Sequence, residues 1–516
     1  MKALRKFMLA TALSVASFAP MSAMAQNTDN VVKVAFNIAD MSSMDPHRNG
    51  TRWLADWMFN ALVRFPPGSS DPAKIEPDLA ESWTVSPDGK EWTFKLRKGV
   101  KFHGDWGELT ADDVVYSLNR ARDPKRSSYA GSYAAIADVT AEDPYTVKIK
   151  LDYPLAVFMG LISNYQAGHI ISKKAAEEMG DKFSNAPVGT GPFVFSEHVT
   201  QQHVKLNANK NYFRGAPKVD GILFRFIPSD SSRELAFNSG ELDVIYGKRE
   251  QRWVDAMRKR GDGVVDVFWP AEFRTLHLNT NIKPLDDRRV REAIATAINV
   301  DDIVRYVGAD VGPKGCSVIP TGYLGESCSW KYKYDPARAK ALLKEAGYEN
   351  GITIPALISN SVSFQPILEI IQAQLGEVGI KVDLQVVDHA TYHERIRKDA
   401  SGLVLYGSAR FPIADSYLTE FYHSDAEVGK PTAITNFSHC KVADKDIEAA
   451  RRATNKDEQI KHWADAQEKI HENICSVPLF NLKQVWQRKK GLDYGVEFTG
   501  AMNLTPPINE KTTITR

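Results

Sequence analysis

The chain has 516 residues, 43% of them hydrophobic and 25% charged, with 65 Lys+Arg against 64 Asp+Glu. Such a balance lacks the strongly basic face that nucleic acid or an anionic membrane requires, so no nucleic-acid partner is expected. The length exceeds what one hydrophobic core can organise and calls for two or three.

The first residues read as a secretory leader. Lys2, Arg5 and Lys6 precede an apolar run from Phe7 to Ala19, too short to span a bilayer, and Ala23-Met24-Ala25 is a small-x-small cleavage site. Residues 1–25 are expected to be removed, leaving a chain from Gln26 in the periplasm. No Cys follows the cleavage site, so lipid attachment is not expected. Without these residues the count becomes 62 basic against 64 acidic side chains, a net of −2.

Val31 to Ile38 predicts a strand, with Val32, Val34 and Phe36 alternating with Lys33 and Ala35. A polar loop follows, Ser42 to His47, and then a helix is expected from Trp53 to Val63. Between Glu76 and Asp105 a tight Asp88-Gly89 reversal leads into a strand. Trp92, Phe94 and Leu96 take one face of it and Thr93, Lys95 and Arg97 the other. Thr110 suits a helix cap, and Asp112 and Asp113 suit the dipole behind it. Strand character returns over 138–152. Gly189-Thr-Gly-Pro-Phe is a turn into a strand; it lacks the third glycine and the following helix of a dinucleotide fingerprint.

Residues 276–299 combine a strand with a helix beginning near Asp286–Asp287. Val290, Ala293, Ile294, Ala297 and Ile298 form one apolar stripe on it. Asp335-Pro336 opens another helix, with Ala339, Leu342, Leu343 and Ala346 inward and Gly347 at its end. A helix over Ile367–Val378 precedes a strand carrying Val382, Leu384 and Val386. Strands interleaved with helices predict an α/β fold.

The four cysteines are Cys316, Cys328, Cys440 and Cys475. In an oxidising compartment disulfides are the default, and four cysteines permit three connectivities. Cys316–Cys328, closing a loop with Pro320, Gly322 and Gly325, is the favoured pair, with Cys440–Cys475 as the other.

The string EPDLAESWTVSPDGKEWTFKLRKGVKFHGD at 76–105 closely resembles the signature region of the peptide/nickel/opine class of periplasmic solute-binding proteins, the receptors of ABC importers. The resemblance continues in order through GTGPF, the LHLN–RVREAI unit, DPARAKALLKEAGY, IIQAQLGEVGIKVDLQVV and the VPLFN strand at 477–481. It implies an α/β, two-lobed fold with a hinge and no catalytic activity or cofactor. The first lobe would comprise roughly 26–274 and 482–516, with an extra subdomain at about 65–188, and the second lobe 275–481. The hinge crossings would fall near His277 and Leu482. The implied partners are a small solute and ABC permease subunits in the inner membrane, with the receptor a monomer.

In peptide-binding relatives a Trp-x-Ala-Asp-Tyr segment of the second lobe supplies an Asp for the peptide's ammonium. The matching stretch here is Gly407-Ser408-Ala409-Arg410-Phe411, so Arg410 stands at the Asp position and Gly407 at the Trp position. A guanidinium there would reject an ammonium and grip a carboxylate or phosphate. The other reading pairs Arg410 with an internal acid. Candidate ligand contacts are thus Gly407, Ser408, Arg410 and Phe411. Asp415 is an alternative amino anchor, Ser43 and Met44 come from the first-lobe loop, and Tyr129 from the extra subdomain. Two solute classes follow: peptides or peptide-like compounds, and an acidic opine or sugar-phosphate conjugate.

A metal-dependent enzyme or metal carrier is the rival class. No G-x-S-x-G, H-E-x-x-H or Walker A string occurs. His471 and Cys475 with His439 and Cys440 could form a zinc set, though a disulfide is the simpler use of those thiols. His389 and His393, four apart, could hold nickel; Asp388, Glu394 and Arg395 around them read instead as a solvated helix face.

Overall fold

The computed structural model describes residues 30–48, 52–361, 363–430, 435–453 and 455–516; the expected leader and its cleavage site lie outside the described residues. Among the described residues the largest sheet has ten strands and two unlike wings. One wing carries Val31–Phe36, Val244–Tyr246, Gly221–Phe226, His203–Ala208 and Phe193–Val199. The other carries Leu403–Ser408, Ile352–Ser359 and, at the edge, Ile380–Val387. Between them lie two long antiparallel strands, Val264–Leu278 and Ser476–Arg488, and both wings are attached to this pair.

Each wing has its own core. Val34, Trp57, Phe94, Ile149 and Phe224 belong to one buried cluster. Leu276, Ile294, Leu368, Ile371, Leu405 and Trp463 belong to the other. Trp253, Val254 and Met257, from the helix Gln251–Arg260, join the second cluster although they precede the crossing strand in the chain. Helices cover the sheet because their apolar stripes need it: Val290, Ala293 and Ile294 of Arg288–Ala297 are buried, and Asp287 caps that helix by accepting from the Arg289 backbone N–H.

The hairpin region forms a separate four-stranded sheet. Ala80–Val85 pairs with Glu91–Leu96, which pairs with Thr146–Leu151 and, beyond it, Ile136–Asp143. Phe94 and Leu96 are buried and Lys95 is exposed, as alternation requires. In the GTGPF turn, a Cβ on Gly189 would fall 2.2 Å from the Met58 carbonyl oxygen, and one on Gly191 2.4 Å from its carbon. These glycines let two backbones meet, which is a packing role and not phosphate binding.

The helix expected over Trp53–Val63 is Arg52–Met58. It stops because the buried Asp78 carboxylate accepts from the Ala61 backbone at 3.2 Å and from Asn60 Nδ2 at 2.9 Å, pulling the chain into the short strand Val63–Arg64. Val386 is 47% exposed, since its strand lies at the sheet edge and the apolar stripe fades there. Disulfides join Cys316 to Cys328 and Cys440 to Cys475, with Cα–Cα spans of 5.0 and 5.9 Å.

His277 lies on the crossing strand with no exposed surface, packed against Phe421, Tyr422 and Phe437. Neither ring nitrogen hydrogen-bonds a described residue, and burial lowers its pKa to about 3. The unfolded imidazole takes up a proton below about 6.5, whereas the folded one stays neutral until about 3. Its contribution is therefore complete above 6.5 and is lost as pH falls towards 3. Replacing His277 by Leu removes no hydrogen bond and should change stability at pH 7 by less than about 1.5 kcal/mol. From pH 6.5 to 4 the variant should gain on the wild type in thermal unfolding; a gap independent of pH would refute the assignment.

Candidate functional site

Where the wings meet, a cavity of about 410 Å³ opens, within the range of small-molecule sites. Asn37, just past the first strand, Tyr246 and Arg249 line it from one side; Phe364, His389, His393, Gly407 and Ser408 line it from the other. Glu272 and Arg274, on the crossing strand itself, form its floor. A second cavity of about 50 Å³, around Asp56, Arg64 and Asp78, has room for little more than a water.

Glu272 follows a break in strand register between Phe268 and Glu272 and stands between two arginines. Its Oε1 is 2.8 Å from Arg249 Nη1, and its Oε2 is 2.9 Å from Arg274 Nη2. Arg274 is 1% exposed, with its guanidinium 4.4 Å from the Phe364 ring centre. Burial lowers the Arg274 pKa, with Glu272 pulling the other way and Arg249 adding to the fall. At Arg249 burial also acts downward, but the Glu272 carboxylate and Tyr246 outweigh it and the net shift is upward. Both guanidiniums remain charged.

The other ionic groups of the cavity are engaged elsewhere. Asp230 binds Arg233, Glu250 holds Arg252 at 2.9 Å, and Lys248 lies 3.8 Å from Glu234. Among the described residues, two arginines share one carboxylate and leave one positive charge over. Nε and Nη1 of Arg274 make no hydrogen bond to any described residue. A buried donor without an acceptor is costly, by roughly 1–3 kcal/mol, so each of these donors is suited to an anionic partner.

His389 and His393 sit on the helix His389–Ile396 and line the cavity; His389 is exposed, as the solvated-face reading expects, and His393 is half-buried. Their Nε2 atoms are 3.2 Å apart. That spacing suits a metal chelate, but the surrounding donors exclude the needed tautomers. Arg397 Nη1, which can only donate, lies 3.1 Å from His393 Nδ1. The proton of neutral His393 is therefore on Nε2, pointing at His389 Nε2, and His389 donates from Nδ1 to Ser359 Oγ at 2.9 Å. Burial, the neighbouring His389, Arg397 and Arg274 lower the His393 pKa to about 4; burial and Arg274 lower that of His389. The pair is an oriented, neutral wall.

Of the residues named from the sequence, Gly407 and Ser408 line the cavity. Arg410 turns away: Nε donates to Glu420, Nη1 to Ser408 Oγ, and the guanidinium packs 5.4 Å from the Phe421 ring centre. Its charge is met by an acid one helix away. Phe411 crosses between the wings, with its ring 5.7 Å from Phe65 and 6.2 Å from Tyr165. A Cβ on Gly160 would fall 2.1 Å from that ring. Asp415 is buried 3.7 Å from Arg451, and burial raises its pKa. Met44 is 1% exposed and donates its N–H to the Ser184 carbonyl, while Ser43 Oγ accepts from the Asp45 N–H. Tyr129 packs half-buried on the first core. The zinc set loses both thiols to the Cys440–Cys475 disulfide, and His471 and His439 bond Ser329 and Asp399, each at 2.7 Å.

Sequence reasoning missed Arg249, Glu272 and Arg274. One signal was present: in FWPAEFRTLHL two charges, two residues apart and so on one face, interrupt an apolar strand.

Two α/β wings, each with its own core, joined by paired crossing strands and enclosing a polar cavity at the junction, define a two-lobed binding protein. The model of bacterial extracellular solute-binding proteins, family 5 Middle, matches residues 74–428, and the chain belongs to that family. Its members are solute-binding proteins of ABC importers. The chain is 46% identical to MoaA from A. tumefaciens R10, solved in complex with mannopinic acid, covering 95% of this chain and 100% of that one with a TM-score of 0.87. AgaA from the same source, in complex with agropinic acid, is 26% identical over 94% of this chain and 99% of its own, with a TM-score of 0.79. Di/tripeptide-binding protein 2 of Pseudomonas aeruginosa is 30% identical over 82% of this chain and 83% of its own.

The placement of Arg410 yields a test. Glu420→Ala strands a largely buried guanidinium and should cost about 2–4 kcal/mol in chemical denaturation. Replacing both partners, Arg410→Met with Glu420→Leu, should recover most of that loss. Equal destabilisation by the single and double variants would show that the pair does not act as one unit.

Proposed function

We propose that this protein is a periplasmic receptor for a carboxylate-bearing, opine-like solute of the mannopinic acid kind, which it hands to a permease pair in the inner membrane. The observation that carries this reading is Arg274: a buried guanidinium on the cavity floor with two donors unmatched by any described residue, in a described cluster where Arg249 and Arg274 share the Glu272 carboxylate. One ligand carboxylate would balance the charge and accept a charge-assisted hydrogen bond from one of these donors. Asn37, Ser361, Ser363 and Ser408 supply polar groups for a hydroxylated remainder. Similarity to MoaA, a mannopinic acid complex, supports the same class.

Peptide uptake is the second reading, supported by the di/tripeptide-binding relative. A peptide carboxylate would suit Arg274 equally. Its ammonium, however, would need an acid, and Asp230, Glu250 and Glu272 each already hold an arginine. The peptide reading therefore leaves one charge without a partner.

In this account no bond is made or broken. The lobes, divided near residues 274 and 482, close on the solute; contacts to both lobes exist only in the closed form, so binding shifts the population towards it. The leader would deliver the receptor to the periplasm, where it acts as a monomer.

Mass spectrometry of solutes released from protein purified out of periplasm should show an acidic opine-type compound, and calorimetry should show mannopinic acid binding. Arg274→Gln should weaken that binding by about 100-fold, the scale of losing one partner of a buried charge pair. Released peptides, or an unchanged affinity in Arg274→Gln, would overturn the reading.

A further inference from the structure

We infer that Gly407 is the specificity-determining position of the cavity: the missing side chain at 407 is the seat of the Arg274 guanidinium, and any larger residue would convert the anion-accepting floor into one that refuses a carboxylate. The inference deepens the solute reading above and rests on it for the ligand class.

Arg274 and Gly407 are direct partners on neighbouring antiparallel strands. Directly opposed residues in such a pair point to the same face, with their Cβ atoms about 4.5–5.5 Å apart. Residue 407 is therefore the cross-strand neighbour of the arginine on the cavity side, and both line the cavity. A Cβ built on Gly407 would fall 1.3 Å from Arg274 Nη1, 2.5 Å from Cζ and 2.9 Å from Cδ. No rotation of a methyl relieves an overlap of that size; the guanidinium occupies the space a side chain would fill.

The backbone at 407 does not itself require glycine. It lies in the regular strand Leu403–Ser408 and carries no left-handed φ, so an L-residue could adopt its conformation. Space is the reason for glycine here. Arg274 is also held in place by Glu272 at 2.9 Å and by the Phe364 ring, and a displaced guanidinium would lose both. Alanine would push it off this seat. A larger apolar side chain would take the seat over and line the floor with hydrocarbon.

The test uses the mature protein and mannopinic acid as the probe, with Gly407→Ala, Arg274→Gln and the double variant measured by calorimetry. Gly407→Ala should bind at least about 30-fold more weakly than wild type. The double variant should bind no more weakly than Arg274→Gln alone, because residue 407 acts only through the arginine. It also removes the two closest overlaps, with Nη1 and Cζ, so it should fold if Gly407→Ala does not. Gly407→Ala binding within threefold of wild type, or losses that add in the double variant, would overturn the inference. If the wild type itself fails to bind mannopinic acid, the solute reading fails separately. Crystal structures of wild type and Gly407→Ala then decide the seat: a guanidinium displaced from Phe364 supports it, and one left in place overturns it.

Discussion

The pairing of Val264–Leu278 with Ser476–Arg488 is the constraint on which the rest of the molecule depends. Both wings of the sheet attach to this antiparallel pair, so its geometry sets how the wings face each other. The pair is not uniform. Register slips between Phe268 and Glu272 and again between Arg274 and Thr275. Such irregularities bend a strand and re-aim its side chains. Here they fall where the strand must carry charge instead of hydrocarbon. The same segment thus joins two cores and presents Glu272 and Arg274 to the cavity, coupling the position of the ionic floor to the angle between the lobes.

An excess buried charge shapes everything around it. Arginine cannot shed its proton, so the cavity must hold Arg249 and Arg274 as cations beside a single shared carboxylate. Nearby imidazoles respond by staying neutral: burial first, then Arg274 and other neighbours, depress both His389 and His393. Arg397 fixes the direction of their hydrogen bonds. The wall is polar without adding charge, and among the described residues the Arg274 Nε and Nη1 donors stay unmatched.

The fold was legible in the sequence where its signals are local. Alternation in Trp92–Leu96, the helix start near Asp287, the Asp335 cap, and the apolar stripe from Val290 each depend on residues a few positions apart, and the structure has them. The helix after Trp53 ran short because Asp78, some twenty residues on, captures the backbone at Ala61. The site was less legible for the same reason on a larger scale. Arg410 and Arg274 are both arginines beside aromatic residues. What separates them is a partner: Glu420 meets the first, ten positions away on the next helix, whereas Arg274 shares Glu272 with Arg249. Sequence spacing does not reveal which acid is already taken. Gly407 and Ser408 were found through the order of motifs, yet the meaning of the glycine depends on a residue more than a hundred positions earlier.

Capture and selection use different surfaces. Phe411 closes the interval between the lobes by packing on Phe65, Tyr165 and the open space above Gly160, and it does so outside the cavity. That contact is apolar and lies away from the cavity, so on the proposed closing mechanism it would favour closure for any occupant. On the proposed reading, discrimination then falls to the floor, where an arginine seated on a glycine offers donors suited to an anion. A scaffold divided in this way can keep its closing contacts while its solute changes. A substitution at 407 or 274 would change the cation offered to the ligand, and Arg274 meets the second core at Phe364. The paired crossing strands make that separation possible, because they hold the floor in register whichever solute lies above it.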